Sequence, residues 1–237
     1  HTDFKLNQTE QKDYVILSKP DKSIVDKIKL PITQVEQSVC RAMDGGAAWV
    51  YSTIATPGAN NQSTEGYQFS AYSAKPQVTV TSGNFDHTVV VRLLNSFPDN
   101  VKVRYTLNGY APSQTSALFP DSIEIAATAV LKLIAFDDDT TIFHSFCEFN
   151  TYFINEEFSL PVFSVAADQL TDLAEGDREL RPVGSIEYFD LSRTRKSVGY
   201  GELNSHGQDS WVLNQRSLDW ITRDEMGYSA AIYQPIF

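Results

Sequence analysis

Residues 101–136 read VKVRYTLNGYAPSQTSALFPDSIEIAATAVLKLIAF. Val101, Val103, Tyr105 and Leu107 alternate with Lys102, Arg104, Thr106 and Asn108, a period of two that puts apolar side chains on one face of a half-buried strand. Asn108-Gly109 ends that strand, because Gly109 tolerates positive φ, and Pro112 and Pro120 punctuate the following loop. Ile123 and Ile125 form a second alternation, and Val130, Leu131, Leu133, Ile134 and Phe136 a third. None of these residues makes a catalytic signature.

Outward from this centre, residues 77–81 and 89–94 predict strands separated by Ser82-Gly83-Asn84, and 143–154, FHSFCEFNTYFI, close the module with alternating aromatics. Short strands at this spacing suit a sandwich. Asp137-Asp138-Asp139 reads as an exposed turn, because a calcium loop spaces its carboxylates at alternate positions and needs more of them. The run from Arg104 to Phe136 resembles the small β-sandwich module at the C-terminus of chitobiase and β-hexosaminidase type proteins, with its I-R-Y-T-x-D-G-S-x-P-T…L-Y…I-x-I…T-x-L-x-A-x-A-F pattern. Asn108 replaces the usual acid, and Tyr110-Ala111 precede Pro112 where that family has a small polar and a variable residue. The resemblance implies an immunoglobulin-like accessory domain over 76–155 and brings no catalytic residues.

The chain has 237 residues, 42% hydrophobic and 12% aromatic, enough for one large or two to three small domains with real cores. Its 19 Lys and Arg against 30 Asp and Glu give a net charge of -11, which disfavours non-specific attraction to nucleic acid or anionic membrane. No run approaches the roughly 20 apolar residues of a membrane helix. The opening HTDFKLNQTEQKDY has neither the basic nor the apolar region of a signal peptide and no initiator Met, so a processed or excised piece is expected. Cys40 and Cys147 are read as two buried free thiols rather than a disulfide, and their spacing offers no metal motif.

Before the central module, Tyr14-Val15-Ile16-Leu17, the turn Lys19-Pro20-Asp21-Lys22, and Ile24-Val25 with 28–30 predict a hairpin. Gly45-Gly46 allows a tight turn, Trp49 offers a large apolar face to a small core, and Pro57-Gly58 stops the last strand. The order Y-V-I-L-S-x-P-D-x-S-I-V-D, then R-x-M-D-G-G-x-x-W-V-Y-S-T-x-A-T-P-G-A-N-N, is similar to the second half of the lamin-tail domain. That resemblance implies a partial immunoglobulin-like domain over 1–62, with 63–75 as a linker. Asn7-Gln8-Thr9 and Asn61-Gln62-Ser63 are formal glycosylation sequons.

After Asn155 the text changes. Residues 160–165, 184–189 and 200–203 predict strands, and 169–175 one or two helical turns with Asp168 as N-cap. The segment 206–220 holds the densest mixture of polar and aromatic residues, which makes His206, Asp209, Trp211 and Arg216 the candidate binding residues. "L-P-V-F-S-V-x-x-D", "R-P-V-x-S-I-E-Y-F-D", "H-G…Q-R-S-L-D" and "R-D-E-M-G-Y…Y-Q-P-I-F" resemble, in order, the opening of CotH-like (spore-coat-protein-H-like) proteins, a family that includes atypical secreted kinases. The resemblance implies that 156–237 is the β-rich N-terminal part of a CotH-like domain, with Arg216 where active kinases carry a phosphate-contacting lysine. Metal-binding and base carboxylates would then lie beyond Phe237.

No G-x-S-x-G, H-E-x-x-H, P-loop or Rossmann glycine pattern occurs, and the four histidines show no ligand spacing. The expected architecture is mainly β, tandem immunoglobulin-like sandwiches followed by a β-rich CotH-like lobe. The expected role is a non-catalytic structural, adhesion or assembly segment of a larger exported bacterial surface protein, located extracellularly or at the cell surface. Its partners would be other domains of that protein, other surface proteins or glycans, with no catalytic residue, metal or cofactor in this chain. Two alternatives stand beside it: a CotH-like kinase lobe, the one reading that needs ATP and Mg²⁺, and a glycan-binding module using Trp49, Trp211 or Tyr110.

Overall fold

The computed structural model of the chain describes residues 13–35, 37–64, 66–207 and 216–221. The chain is mainly β, 45% strand against 4% helix, as the alternation patterns require. The described residues fall into two compact units, up to Gln68 and from Phe69 to Ile221.

In the first unit, β1 (Tyr14–Ser18) and β2 (Ile24–Lys29) form the expected antiparallel hairpin. Its turn is held by the Asp21 carboxylate, which accepts the Ser23 N–H at 2.9 Å and hydroxyl at 2.6 Å. A second sheet has the order β3 (Ser38–Arg41), β4 (Trp49–Ser52), β5 (Gln68–Phe69). Trp49 is half-buried rather than central to a core: the Arg41 guanidinium lies 4.1 Å over its ring, an attraction between cation and π-face. Arg41 also pairs with Asp26 at 2.5 Å and donates to the Ala47 carbonyl at 2.7 Å. Asn61, a sequon residue, uses its carboxamide internally: Oδ1 accepts from Thr56 at 2.7 Å and Nδ2 donates to the Arg41 carbonyl at 2.9 Å.

The stretch 63–75, read from sequence as a connection, carries β5 and β6 (Ala71–Tyr72). In the second unit β6 pairs in parallel with β13 (Ile142–Phe143), and Phe69 stacks on Phe143 at 4.4 Å between centroids. Scattered aromatics that carry no period in sequence therefore serve as packing anchors.

Besides the β6–β13 pair, the second unit holds three further sheets. The first is a pair, β8 (Val89–Val91) with β11 (Ile123–Ile125). The second has five strands in the order β10 (Ala117–Leu118), β9 (Val101–Thr106), β12 (Ala129–Asp137), β14 (Glu148–Ile154), β7 (Gly83–Phe85). Val89, Val91, Ile123 and Ile125 meet Val103, Leu131, Leu133, Ala135, Tyr152 and Ile154 between these two sheets, which is the sandwich core the alternation predicts. Gly109, at φ +79, turns the chain after β9, and a Cβ there would come within 2.8 Å of the Ala166 methyl. Asp137 Oδ1 accepts the Asn100 amide and the Asp139 N–H, both at 2.9 Å, so these acids build a turn, as expected.

Two readings need correction. Residues 77–81 make one isolated bridge, Val78 to Leu93, while the expected turn Gly83-Asn84 belongs to β7. Pairing decides this: β14 offers its outer edge, and Gly83, Asn84 and Phe85 take it in parallel register opposite Tyr152, Phe153 and Ile154. The run in β12 was expected to alternate, yet Leu131, Lys132, Leu133, Ile134 and Ala135 are all buried, because a third sheet covers the outer face.

That sheet runs β15 (Val162–Ala167), β16 (Val183–Phe189), β17 (Arg195–Ser205), β18 (Leu218–Ile221), antiparallel throughout. Gly184 permits its tightest approach, since a Cβ there would lie 2.2 Å from the Ala166 carbonyl oxygen. A short helix, α1 (Leu170–Glu175), seats Leu173 against Ala167 and Leu203 on the far face, with Trp220 beside them. Asp168 is not its N-cap. Gln169, at φ 59, holds that place without a side-chain bond, and the Asp168 carboxylate instead accepts the Ala111 N–H at 2.8 Å.

Candidate functional site

Of the four candidate binding residues, Asp209 and Trp211 lie outside the described residues. His206 follows β17 and is tied to β18: Nδ1 lies 2.8 Å from Asp219 Oδ1, and its backbone N–H donates to the Ser217 carbonyl at 3.0 Å. Arg216 is tied to the end of α1, where Nη1 donates to the Ala174 carbonyl at 2.5 Å. The guanidinium also covers Gly176, the helix C-cap at φ 132, where Nη2 would stand 3.5 Å from an added Cβ. A cation belongs at this end of a helix, because the last carbonyls carry partial negative charge and lack intrahelical partners. His206 and Arg216 are thus placed by different elements and different partners. Tyr110 projects from the loop after β9 with 46% of its surface exposed.

The densest polar chemistry lies between the second and third sheets, where sequence reading placed no site. Glu187, on β16, has a side chain 2% exposed and pairs with Arg195 Nη1 at 2.8 Å. Its Oε2 accepts the Thr151 hydroxyl at 2.5 Å, and its Oε1 accepts the Ser82 hydroxyl. Thr151 in turn shares a 2.7 Å bond with the Ser164 hydroxyl. Arg195 Nη1 also donates to Ser82 Oγ at 2.8 Å and reaches Asn150 Oδ1 at 3.3 Å. Asn150 passes the chain on to Glu148, which pairs with Lys75 at 2.8 Å. Residues of both sheets thus meet in one connected network, in which each buried group has a partner.

Lys132 stands beside it on β12. It is 0% exposed, its Nζ donates to the Ala166 carbonyl at 2.8 Å, and the Tyr200 ring lies 6.0 Å away. Burial pushes the amine below its ordinary value of 10.5, against the opposing pull of Cys147, Asp168 and Glu187. Burial also pushes the Cys147 thiol up to about 11 and the Tyr200 phenol upward. Lys132 and Cys147 are buried while Tyr200 is partly exposed, and a protonated thiol is a poor nucleophile. Their arrangement joins sheets. One sequence signal pointed here: a lysine inside the apolar run AVLKLIAF.

An open recess occurs at the end of the same two sheets. Phe153 of β14 meets Phe158 and Phe189 edge to face, with centroids 4.9 and 5.2 Å apart, and these rings form the floor of a shallow recess open to solvent. Leu160, 72% exposed, and Leu191, 67% exposed, form its rim together with Asn84, Asp190 and Arg193. Ser192, Thr194 and Lys196 hold Asp190 as a carboxylate, down to about 2, with the Ser192 hydroxyl bond leading.

The chitobiase/beta-hexosaminidase C-terminal domain family matches residues 71–142, under a third of the chain. The matched span begins at β6 and ends in β13, so it takes in the strand pair and most of the five-stranded sheet but stops before β14. No curated protein and no solved structure matches the chain.

Proposed function

We propose that this chain is a non-catalytic structural and assembly segment of a larger exported bacterial surface protein. The observation that carries this reading is the network of buried Asn150, Thr151 and Glu187 with partly exposed Ser82 and Arg195, which fastens the sandwich to the sheet that follows it. A spacer needs consecutive layers that do not hinge, and an ion pair whose carboxylate is buried between two sheets, with its guanidinium partly exposed, resists hinging better than a fully exposed one. The lamin-tail and CotH-like resemblances fit a modular surface protein, and they rest on the quoted motifs alone.

Antibodies raised against the chain, applied to intact cells of the source, test the placement: surface labelling is expected, and labelling only after permeabilisation overturns it. Calorimetry with MgATP tests the non-catalytic part. No binding is expected, because Arg216 is engaged at the end of α1, and a dissociation constant below about 100 μM, some 5 kcal/mol of affinity, overturns it in favour of the kinase lobe. Glycan binding is the second reading, favoured by the exposed Tyr110 ring and by the kind of protein in which the matched domain family occurs. A glycan array with signal that Tyr110→Ala abolishes would establish it.

A further inference from the structure

We propose that the outer edge of β1 binds a second copy of this chain, β1 against β1, so that two hairpins join into one four-stranded antiparallel sheet. The proposal rests on the assembly reading and names the partner. Edge geometry, charge and symmetry carry it.

The sheet of β1 and β2 has two strands among the described residues, and a lone hairpin is marginal in water until a further strand joins it. The side chains of β1 stand open on both faces, with Tyr14, Val15, Ile16 and Leu17 51%, 44%, 53% and 61% exposed. The direction of the backbone groups follows from one bond. The Leu30 N–H donates to the Asp13 carbonyl at 3.0 Å, and an antiparallel ladder bonds at every second pair. Val15 and Leu17, opposite Ile28 and Asp26, therefore turn their N–H and C=O groups to β2, while Tyr14 and Ile16 turn theirs outward.

Charge separates the two edges of this hairpin. On β2 the outward residues include Lys27 and Lys29, and lysines guard an edge against uncharged strands. The sequence of β1, Tyr-Val-Ile-Leu-Ser, has no charge. It accepts an uncharged apolar strand, and it is one. A two-fold axis through Ile16 sets it beside the partner's Ile16, Val15 beside the partner's Leu17 and Tyr14 beside the partner's Ser18. No like charges meet in these pairs, and the outward groups of Ile16 face their own symmetry copies. The same operation on β2 would set Lys27 against the partner's Lys27. With β1 paired to β1, the two β2 strands lie outermost, about 14 Å apart at the usual strand spacing, which exceeds the roughly 8 Å screening length of physiological salt.

A contact of five residues a side falls well below the roughly 800 Å² per partner of a stable complex, so the pairing is weak and shows at high concentration. The test is sedimentation of the full chain from about 5 to 500 μM, together with amide exchange read by NMR at both ends of that range. The mass is expected to rise from 26.5 kDa toward twice that value, with a midpoint near about 100 μM. Over the same range exchange of the Tyr14 and Ile16 amides should slow about threefold, in step with the loss of free edge, while the Lys27 and Lys29 amides keep their rates. Ile16→Lys sets like charges on the two-fold axis and is expected to abolish the dimer, Ile16→Val to keep it, and both should retain the circular dichroism of the natural chain because the position is exposed. The proposal is overturned if the mass stays at 26.5 kDa throughout, if Lys27 and Lys29 slow instead, or if Ile16→Lys still pairs. Protection of Tyr14 and Ile16 that is equal at every concentration also overturns it, by assigning the edge to a segment of the same chain. Surface labelling and MgATP binding depend on none of these outcomes, so this pairing can fail while the assembly reading stands.

Discussion

Lys132 gives the sharpest test of how the second and third sheets are joined. Its side chain is 0% exposed, and Nζ donates to the Ala166 carbonyl across the sheet interface. Lys132→Met keeps most of the volume and removes the buried charge. The loss of one hydrogen bond, about 1–2 kcal/mol, is then set against relief of a desolvation penalty of similar size, so the net change is within about 1 kcal/mol of zero. Lys132→Ala removes the same charge and leaves a cavity beneath Tyr200, for about 2–4 kcal/mol. The two variants should therefore melt roughly 6–12 °C apart, read by near-ultraviolet circular dichroism of the full chain at neutral pH. The pH dependence has a definite sign. The folded pKa lies below 10.5, so at lower pH the amine is charged in both states and the penalty is fully present. It fades as pH rises through the folded pKa and is gone at 10.5, so any advantage of Lys132→Met over the natural chain should shrink across that window. Cys147, Tyr152 and Tyr200 have raised pKa values and act in the opposite direction above their ordinary values of 9.0 and 10.0. Tyr152 and Tyr200 do so in both proteins and drop out of the difference, whereas Lys132 itself draws the Cys147 thiol down, so the comparison is read below pH 9.0, where that thiol is protonated in both states. A Lys132→Met chain as unstable as Lys132→Ala, or a gap that widens with pH, would refute the reasoning.

Three further outcomes follow from the same geometry. Glu187→Ala takes their shared acceptor from Arg195 and from the Ser82 and Thr151 hydroxyl groups and should cost about 3 kcal/mol; the double variant with Arg195→Ala should cost clearly less than the sum, and additivity within about 0.5 kcal/mol in denaturant melts would show that the pair is not coupled. Gly184→Ala drives a methyl group to 2.2 Å from the Ala166 oxygen, so it should destabilise by about 3 kcal/mol and open β15 to amide exchange, and native-like exchange there would contradict the close approach. Cys40 is partly exposed and Cys147 is buried, so an aromatic disulfide reagent should titrate Cys40 in the folded chain and Cys147 only at the rate of unfolding. Recovery of no free thiol from the denatured chain would instead mean a disulfide.

The alternations in 101–106 and 123–125, the Asn108-Gly109 turn and the hairpin at Tyr14 were determined by the sequence alone, because strand period and turn chemistry act over a few residues and need no partner. The candidates around His206 were legible as a dense polar segment, but not the commitment of Arg216 to α1, which comes from contact with Ala174, 42 positions earlier. Tertiary structure decided the rest. Alternation tells which face of a strand is apolar and is silent on what covers the other face. Lys132, Asn150, Thr151 and Glu187 carry the polar character of solvent-facing positions, yet all four are buried. They are buried because the third sheet answers each polar group with another, through pairings such as Ser82 with Glu187 and Ser82 with Arg195, 105 and 113 positions apart. The recess at Phe153 has the same origin, since its rings come from β14, from the segment after it and from β16, and only the stacking of two sheets brings them around one space.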